Sequence, residues 1–186
     1  VYISGQNATL ETNNAAFTNN NAQNGGAIYN NNGNANITNT NFNNNSATQN
    51  GGAIYNSGNN TTVTDSTFNN NSANQGGAIY NEGTINIVST SNDSYTSFSN
   101  NSNDIYTTGT VNFNGSGTTY VNSGIAGSGQ IVKNDTGSLN LKGNNSSFSG
   151  TTTINNGSIV FDKTNTSDSY LGGVTEITEN GTLEFK

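Results

Sequence analysis

A repeat of about 25 residues constrains the fold of this chain more than any other feature of its sequence. Three segments, which begin at Phe17, Phe42 and Phe68, each run from a Phe through an Asn-rich stretch to Gly-Gly-Ala-Ile-Tyr-Asn. A fourth copy begins at Phe98 and keeps the Phe and the Asn but lacks the glycines. Repeats of this length are typical of solenoids, in which each unit buries its apolar residues only against the neighbouring units.

The residue types of the repeat favour strands over helices. β-branched residues alternate with polar ones, as in residues 36–38 and 62–64, and Gly and Asn interrupt the apolar positions at short intervals. We therefore predict an all-β chain that forms a right-handed, single-stranded parallel β-helix, a solenoid with about 25 residues per coil. The predicted core stacks are Phe17, Phe42, Phe68 and Phe98; Ile28, Ile54, Ile79 and Ile105; and Ile37, Val63 and Ile87.

The Asn that follows each repeated Phe by three residues is predicted to point into the coil. A side-chain amide both donates and accepts hydrogen bonds, so identical Asn residues one coil apart can bond to each other along the solenoid axis. The Gly pair before each Ala-Ile is predicted to supply a positive φ or a close backbone approach. The predicted Asn ladder consists of Asn20, Asn45, Asn71 and Asn101.

The composition leaves few groups for catalysis or metal binding. The chain has 42 Asn but no His, Cys or Arg, which removes imidazole bases, thiol nucleophiles and the usual zinc ligands. Four Lys stand against 11 acidic residues, so we expect no basic patch for nucleic acid and no cofactor or metal site. The acids of the regular coils do not align and are predicted to be solvated surface charges. They are Glu11, Asp65, Glu82, Asp93 and Asp104.

One insertion interrupts the repeat. The span from Ile87 to Phe98 is six residues longer than the matching span from Val63 to Phe68. Solenoids place extra residues in loops that leave the rod, often on a binding face. We predict a contact loop here, and a loop without a partner is the alternative. The loop consists of Ser89, Thr90, Ser91, Asn92, Asp93, Ser94 and Tyr95.

The order Phe-x-x-Asn and then Gly-Gly-Ala-Ile resembles the paired tetrapeptide signature of the polymorphic outer membrane proteins. These are autotransporters of type V secretion whose passenger is a β-helix, exposed at the bacterial cell surface and outer membrane or secreted. The resemblance implies an adhesive or structural role for the motif residues. They are Phe17, Asn20, Gly25, Gly26, Ala27, Ile28, Phe42, Asn45, Gly51, Gly52, Ala53, Ile54, Phe68, Asn71, Gly76, Gly77, Ala78 and Ile79.

Residues 124–161 resemble the passenger-associated transport repeat of autotransporters. We therefore expect two segments, with Asn-rich β-helix coils at 1–103 and a continuing β-helix with the transport repeat at 104–186. A signal peptide and a translocating barrel are expected to lie outside this chain, which by itself inserts into no membrane. The matching residues are Gly127, Gly129, Lys133, Gly137, Leu139, Leu141, Gly143, Phe148, Gly150, Thr152, Ile154, Gly157, Ile159 and Phe161.

The two resemblances predict an adhesin passenger without enzymatic activity. Its partner would be a host-cell receptor or glycan, or a second passenger through self-association. One alternative is a structural stalk that serves as folding template for a larger passenger. A lower alternative is a polysaccharide-active β-helix enzyme, for which the acids Glu176, Glu179 and Glu184 are the remaining candidates.

Overall fold

The computed structural model describes residues 1–58, 60–162, 171 and 175–186, which form short strands and no helix. In chain order the first strands are β1 (Tyr2–Ser4), β2 (Thr9–Asn13), β3 (Ala16–Thr18), β4 (Asn21–Asn24), β5 (Ile28–Asn31), β6 (Asn34–Thr38), β7 (Asn41–Asn43), β8 (Ser46–Asn50), β9 (Ile54–Asn56), β10 (Asn60–Thr64) and β11 (Thr67–Asn69). The strands that follow are β12 (Ile79–Asn81), β13 (Thr84–Val88), β14 (Ser97–Ser99), β15 (Ile105–Thr107), β16 (Thr110–Asn114), β17 (Thr118–Val121), β18 (Ile125–Gly127), β19 (Gln130–Lys133), β20 (Ser138–Leu141), β21 (Thr151–Phe161) and β22 (Thr175–Phe185).

The strands stack in parallel on three faces of a solenoid. The first face is the six-stranded sheet β1-β5-β9-β12-β15-β18, which contains the Ile-Tyr-Asn strands. The second face follows the order β2-β6-β10-β13-β16-β19 and the third the order β3-β7-β11-β14-β17-β20. The long strand β21 pairs with both β19 and β20, so it joins the second and third faces into one sheet. The predicted parallel β-solenoid is confirmed, with about seven turns.

The strand register places identical residues above one another. Phe42 pairs with Phe17 and with Phe68, and Phe68 pairs with Phe98. The Phe42 and Phe68 rings are fully buried and stack with centroids 4.7 Å apart and planes 4° from parallel. The predicted Phe stack is therefore confirmed. The Ile stack on the first face is confirmed as well, because Ile28, Ile54, Ile79 and Ile105 are consecutive Cα partners.

The coils that follow Ile105 are shorter than the first coils. Hydrogen-bonded Asn side chains of the first coils are 25 or 26 residues apart, whereas partners between Ile105 and Phe161 are 20 or 21 residues apart. The spacing rises again to 23 or 24 residues where β22 pairs with β21. The early coils have an additional segment between their third and first faces, where β4 and β8 form a separate two-stranded sheet. The later coils turn from the third to the first face without such strands, and this accounts for most of the difference in length.

The two glycines of Gly-Gly-Ala-Ile have different roles. Gly51 has a φ of +66°, a left-handed conformation that most side chains disfavour. Gly52 packs against the next coil, and a Cβ on it would lie 2.1 Å from the carbonyl oxygen of Gly77. Both predicted reasons for glycine therefore apply, one at each position.

The core stack of the second face contains one charged residue. Val63 and Ile87 of this stack are followed by Phe113 and then by Lys133 in the same register. Lys133 is only 2% exposed, and its Nζ donates to the backbone oxygen of Asp135 in the following turn. Burial lowers the pKa of Lys133 to about 8, which the Asp135 carboxylate partly opposes. Lys133 thus closes its turn from inside the core.

Candidate functional site

The motif residues of the repeat lie almost entirely inside the solenoid. Phe17 and Asn20, in the first coil, are half-buried. The remaining motif residues are buried, so a partner that binds the outer surface cannot touch them. They are Gly25, Gly26, Ala27, Ile28, Phe42, Asn45, Gly51, Gly52, Ala53, Ile54, Phe68, Asn71, Gly76, Gly77, Ala78 and Ile79.

The Asn residues of the motif form the predicted inward ladder. Asn20 donates from Nδ2 to Oδ1 of Asn45 over 2.8 Å, and Asn45 donates in the same way to Asn71 over 3.0 Å. Asn71 donates to Asn101 over 3.0 Å. The backbone N–H groups of Asn20, Asn45 and Asn71 bond to the same acceptor oxygens. The ladder therefore fixes the register of four coils and satisfies buried amides.

Asp104 ends this ladder, and its prediction as a solvated surface charge is wrong. Its side chain is fully buried, its Oδ1 accepts from Asn101 over 2.8 Å, and its Oδ2 accepts from the backbone of Ser123 over 2.6 Å. Asp104 occupies the position of the buried Ala in Gly-Gly-Ala-Ile, directly before Ile105. Burial raises the pKa of Asp104 to about 6, although the hydrogen bonds that it accepts lower it.

The other acids of the regular coils lie at the surface, as predicted. Glu11, Glu82 and Asp93 are exposed, and Asp65 is half-buried. Asp65 lies at the corner between the second and third faces, where it has a φ of +48° and binds Thr90 of the next coil. Of the C-terminal acids, Glu176 and Glu179 are exposed and Glu184 is half-buried.

Two further ladders were missed by the sequence analysis, although the repeated Ile-Tyr-Asn contains both. The Asn residues point inward, and Asn56 accepts from Asn30 over 3.0 Å and donates to Asn81 over 2.8 Å. The Tyr residues form an outer row on the first face, with ring centroids 4.6 to 5.3 Å apart. The rings of this row that stack nearly parallel belong to Tyr29, Tyr55, Tyr80 and Tyr106.

The carboxylate of Glu82 accepts hydrogen bonds from the hydroxyl groups of two residues of the Tyr row. The hydroxyl of Tyr55 donates to it over 2.6 Å and that of Tyr80 over 3.3 Å. Burial and the nearby Glu82 charge raise the pKa of Tyr55 and of Tyr80, so both hydroxyls stay protonated at neutral pH. Because the rings cover one another, the half-buried members of this row present ring edges to the solvent, and the hydroxyls of two of its rings are bound by Glu82.

The predicted contact loop leaves the rod at the corner between the second and third faces. Asp65 bonds to Thr90, 25 residues further on, whereas its neighbour Ser66 bonds to Thr96, 30 residues further on. The additional residues therefore lie between Thr90 and Thr96. The structure exposes all predicted loop residues except Ser89, which is buried and donates to or accepts from Thr119 over 2.8 Å.

The loop is held from both sides. The Asp65 carboxylate accepts from the backbone and hydroxyl of Thr90 over 2.9 and 2.6 Å. Ser116 of the following coil donates to the Thr90 carbonyl oxygen over 2.7 Å. Within the loop, the Ser91 hydroxyl accepts from the backbone of Asp93 and Ser94. These bonds give the loop a defined conformation without a partner.

A groove of about 320 Å³ lies between this loop and the corners of the two preceding coils. Tyr95 is 39% exposed, and its ring lies 5.3 Å from that of Tyr120 at an angle of 70°. The groove thus combines a phenol ring with two carboxylates, an amide and three aliphatic hydroxyls. Its lining residues are Asn39, Asp65, Thr67, Asp93, Ser94, Tyr95 and Ser97.

The described residues contain no group of three or more His, Cys, Asp or Glu side chains placed to hold a metal ion. In the same part of the chain, no helix has the length and apolar character needed to cross a bilayer.

The fold and the motifs together define a class of protein, a parallel β-solenoid built from repeats whose motif residues form the core. Residues 39–57 and 65–82 match the Chlamydia polymorphic membrane protein repeat. The chain thus fits an autotransporter passenger that resembles the polymorphic membrane protein repeats. No curated protein and no solved structure matches this chain. The matched ranges end before residue 124, so the transport repeat at 124–161 and the division at 103/104 stay predictions.

Proposed function

We propose that this chain is part of an autotransporter passenger that is exposed on the bacterial cell surface and acts as an adhesin. The observation that carries the proposal is the match of two coils to the Chlamydia polymorphic membrane protein repeat. That family implies an outer-membrane or surface location. The partner is a host-cell receptor or glycan, or the same solenoid on a neighbouring cell.

The outer surface of the rod suits many weak contacts better than one strong contact. On the second face, Asn36 is exposed, and Thr62, Asn86 and Asn112 follow it in register on successive coils. A single hydrogen bond contributes only about 0.5 to 1.5 kcal/mol, because it replaces bonds to water. Adhesion through such rows therefore depends on several copies that bind together and raise the effective concentration.

The proposed role is non-enzymatic. The matched repeat family is not a family of enzymes. The exposed acids Glu176 and Glu179 lie on the strand that pairs with β21, on either side of the exposed Ile177. Hydrolysis of glycosidic bonds by paired carboxylates would need two such groups across one substrate cleft. Cleavage of polysaccharide by the purified chain would overturn the adhesin proposal.

A structural stalk is the second candidate function. The motif residues of the described coils stack inside the solenoid, so they support its structure and are not available to bind a partner at its surface. A stalk holds a binding region away from the membrane and needs no partner of its own. The shortened coils after Ile105 and the buried Lys133 belong to the segment that would serve as such a stalk.

Binding to cells separates the two candidates. Beads that carry many copies of the chain and the soluble monomer are compared on epithelial and bacterial cells, with an unrelated β-helix as control. We expect capture of the multivalent beads, weak binding of the monomer and little change between low and physiological salt, since the rows are uncharged. If neither cell type captures the beads above the control, the stalk hypothesis replaces the adhesin.

A further inference from the structure

The geometry points to a saccharide-binding site for uncharged sugars in the groove beside the loop of residues 89–95. This inference rests on the proposed adhesive function and names the ligand class of one site. The groove joins an inserted loop, an aromatic ring and carboxylates within one concave space. Its volume of about 320 Å³ is at the lower end of the range of small-ligand sites, about 300 to 1,000 Å³.

Tyr95 provides the apolar contact that a sugar ring needs. The rings of the Phe stack and of the outer Tyr row lie nearly parallel on one another and cover their faces. The ring of Tyr95 instead meets Tyr120 at 70° and remains 39% exposed. An exposed aromatic ring can pack against the C–H groups on one side of a pyranose, because its π face is weakly negative and these hydrogens are weakly positive.

The polar groups of the groove match the hydroxyl groups of a sugar. Ionised carboxylates only accept hydrogen bonds, and neighbouring hydroxyls of a sugar can donate two bonds to one carboxylate. Asp93 is exposed at the groove, and Asp65 faces it from the corner of the preceding coil. The amide of Asn39 both donates and accepts, and it completes the polar lining together with the hydroxyls of Thr67 and Ser97.

The charge of the groove selects against anionic glycans. Asp65 and Asp93 contribute two negative charges, and its seven lining residues include no Lys or Arg. The chain as a whole has a net charge of −7, so a sialylated or sulfated glycan would be repelled at long range as well. The expected ligand is therefore a neutral hexose or N-acetylhexosamine unit.

The conformation of the site is fixed before binding. Thr90 is held by Asp65 on one side and by Ser116 on the other, and the Ser91 hydroxyl closes the turn that carries Asp93. A preformed loop loses little conformational freedom when a ligand binds, which favours even a small ligand.

Titration of the ¹⁵N-labelled chain with defined saccharides, followed by NMR, tests this inference. Lactose, maltose and N,N′-diacetylchitobiose are the neutral probes, and 3′-sialyllactose is the anionic probe. We expect at least one neutral probe to shift the amide signals of residues 93–97 and of Asp65, with weak millimolar affinity, and 3′-sialyllactose to bind less tightly than lactose. Absence of such shifts with all three neutral probes, or tighter binding of 3′-sialyllactose, would overturn the inference.

Variants of the groove distinguish binding at this site from nonspecific binding of saccharide elsewhere on the surface. Tyr95→Ala should weaken binding by about tenfold or more, equivalent to about 1.4 kcal/mol, while Tyr95→Phe should retain the ring contact and most of the affinity. Asp93→Asn should weaken binding less, because the amide still accepts one hydrogen bond. Tyr2→Ala, which removes an exposed Tyr on another face, is the matched control and should change nothing. Equal affinity of Tyr95→Ala and the unaltered chain would refute the site.

The same variants distinguish this inference from the proposed adhesion. Beads coated with the Tyr95→Ala chain should lose capture of cells if the groove is the adhesive site. If they keep full capture while the unaltered chain shows no saccharide shifts, adhesion stands and the saccharide site is wrong. If no form of the chain is captured but the saccharide shifts occur, the groove binds sugar and the adhesin proposal fails.

Discussion

Asn101 donates from its Nδ2 to Oδ1 of Asp104 over 2.8 Å, and this bond ends a chain of side-chain amides that begins at Asn20. Each ladder Asn donates from its side-chain amide to the ladder Asn of the next coil. Asn101 is the last of these residues, so its amide needs an acceptor other than a further ladder Asn. A carboxylate supplies that acceptor, and its second oxygen satisfies the backbone of Ser123. The ladder thus has a direction and a defined end inside the core.

The contribution of Asp104 to stability should depend on pH. Burial raises the pKa of Asp104 to about 6 from 3.8, so the folded chain holds the proton more tightly than the unfolded chain. The contribution of Asp104 to the free energy of unfolding therefore falls by about 3 kcal/mol in total as the pH rises from about 4 to about 6, and it remains low above pH 6. Asp104→Asn removes this loss.

Urea unfolding between pH 4 and pH 7 checks the prediction. The difference in unfolding free energy between Asp104→Asn and the unaltered chain should shift in favour of the variant as the pH rises. Glu11→Gln, which changes an exposed acid, is the control and should show a much smaller change. A difference for Asp104→Asn that stays constant with pH would contradict the buried-carboxylate explanation.

Asn45→Leu should destabilise the chain although it adds apolar surface to the core. Asn45 accepts from Asn20 and donates to Asn71 and to the backbone oxygen of Phe17. Each buried polar group that loses its partner costs about 1 to 3 kcal/mol, so we expect a total loss of about 3 kcal/mol or more.

Asn36→Thr is the matched control for Asn45→Leu. Asn36 is exposed on the second face, and Thr62 occupies its position one coil further on. The control should change the free energy of unfolding by no more than about 0.5 kcal/mol. Similar urea midpoints for the two variants would mean that the Asn ladder does not stabilise the fold and that its repeated Asn residues reflect only the Asn-rich composition.

Phe68→Ala should lower the free energy of unfolding by about 3 to 5 kcal/mol, the usual cost of emptying a core aromatic site. Its ring is fully buried and stacks on Phe42 and Phe98 at 4.7 Å on each side. Tyr2→Ala, at a residue that is 65% exposed, should cost less than about 1 kcal/mol. A loss below 1 kcal/mol for Phe68→Ala in the same denaturation series would be incompatible with the Phe stack.

Lys133→Met should stabilise the chain at neutral pH. Burial lowers the pKa of Lys133 to about 8 from 10.5, so the folded chain releases this proton more readily than the unfolded chain. The cost of the buried charge is fully present below about pH 8 and disappears as the pH rises to about 10.5. Met keeps the length and fills the same place without a charge, and we expect a gain of about 2 to 3 kcal/mol at pH 7.

Denaturation at pH 7 and at pH 10 checks the Lys133 prediction. The gain for Lys133→Met should shrink toward pH 10, where the side chain is largely neutral in the folded chain. Lys142→Met is the control, since Lys142 forms a surface ion pair with Asp162 and such pairs contribute about 0 to 1 kcal/mol. Destabilisation by Lys133→Met at both pH values would show that the bond from Nζ to the Asp135 carbonyl outweighs the buried charge.

The repeat period and the residue types within each repeat together determined the architecture of this protein. Because a coil of about 25 residues cannot bury its own apolar face, residues at equal positions must stack, and Phe42 on Phe68 and Asn45 on Asn71 follow directly. The sequence also located the insertion. The span from Ile87 to Phe98 is six residues longer than the matching span from Val63 to Phe68, and the additional residues must leave the rod.

Only the tertiary structure decided which charged residues are buried and which surfaces are available. Asp104 resembles any surface acid in the sequence, but the shortened corner before Ile105 places it at a position that Ala occupies in earlier coils. Lys133 is drawn inward for a similar reason, since its register continues the stack of Phe113. Charge and polarity along the chain do not reveal such positions, because burial there depends on how adjacent coils stack and on the hydrogen-bond partners that the fold brings to each charged group, as Ser123 does for Asp104. The groove beside Tyr95 likewise exists only because the corners of earlier coils lie beneath the loop.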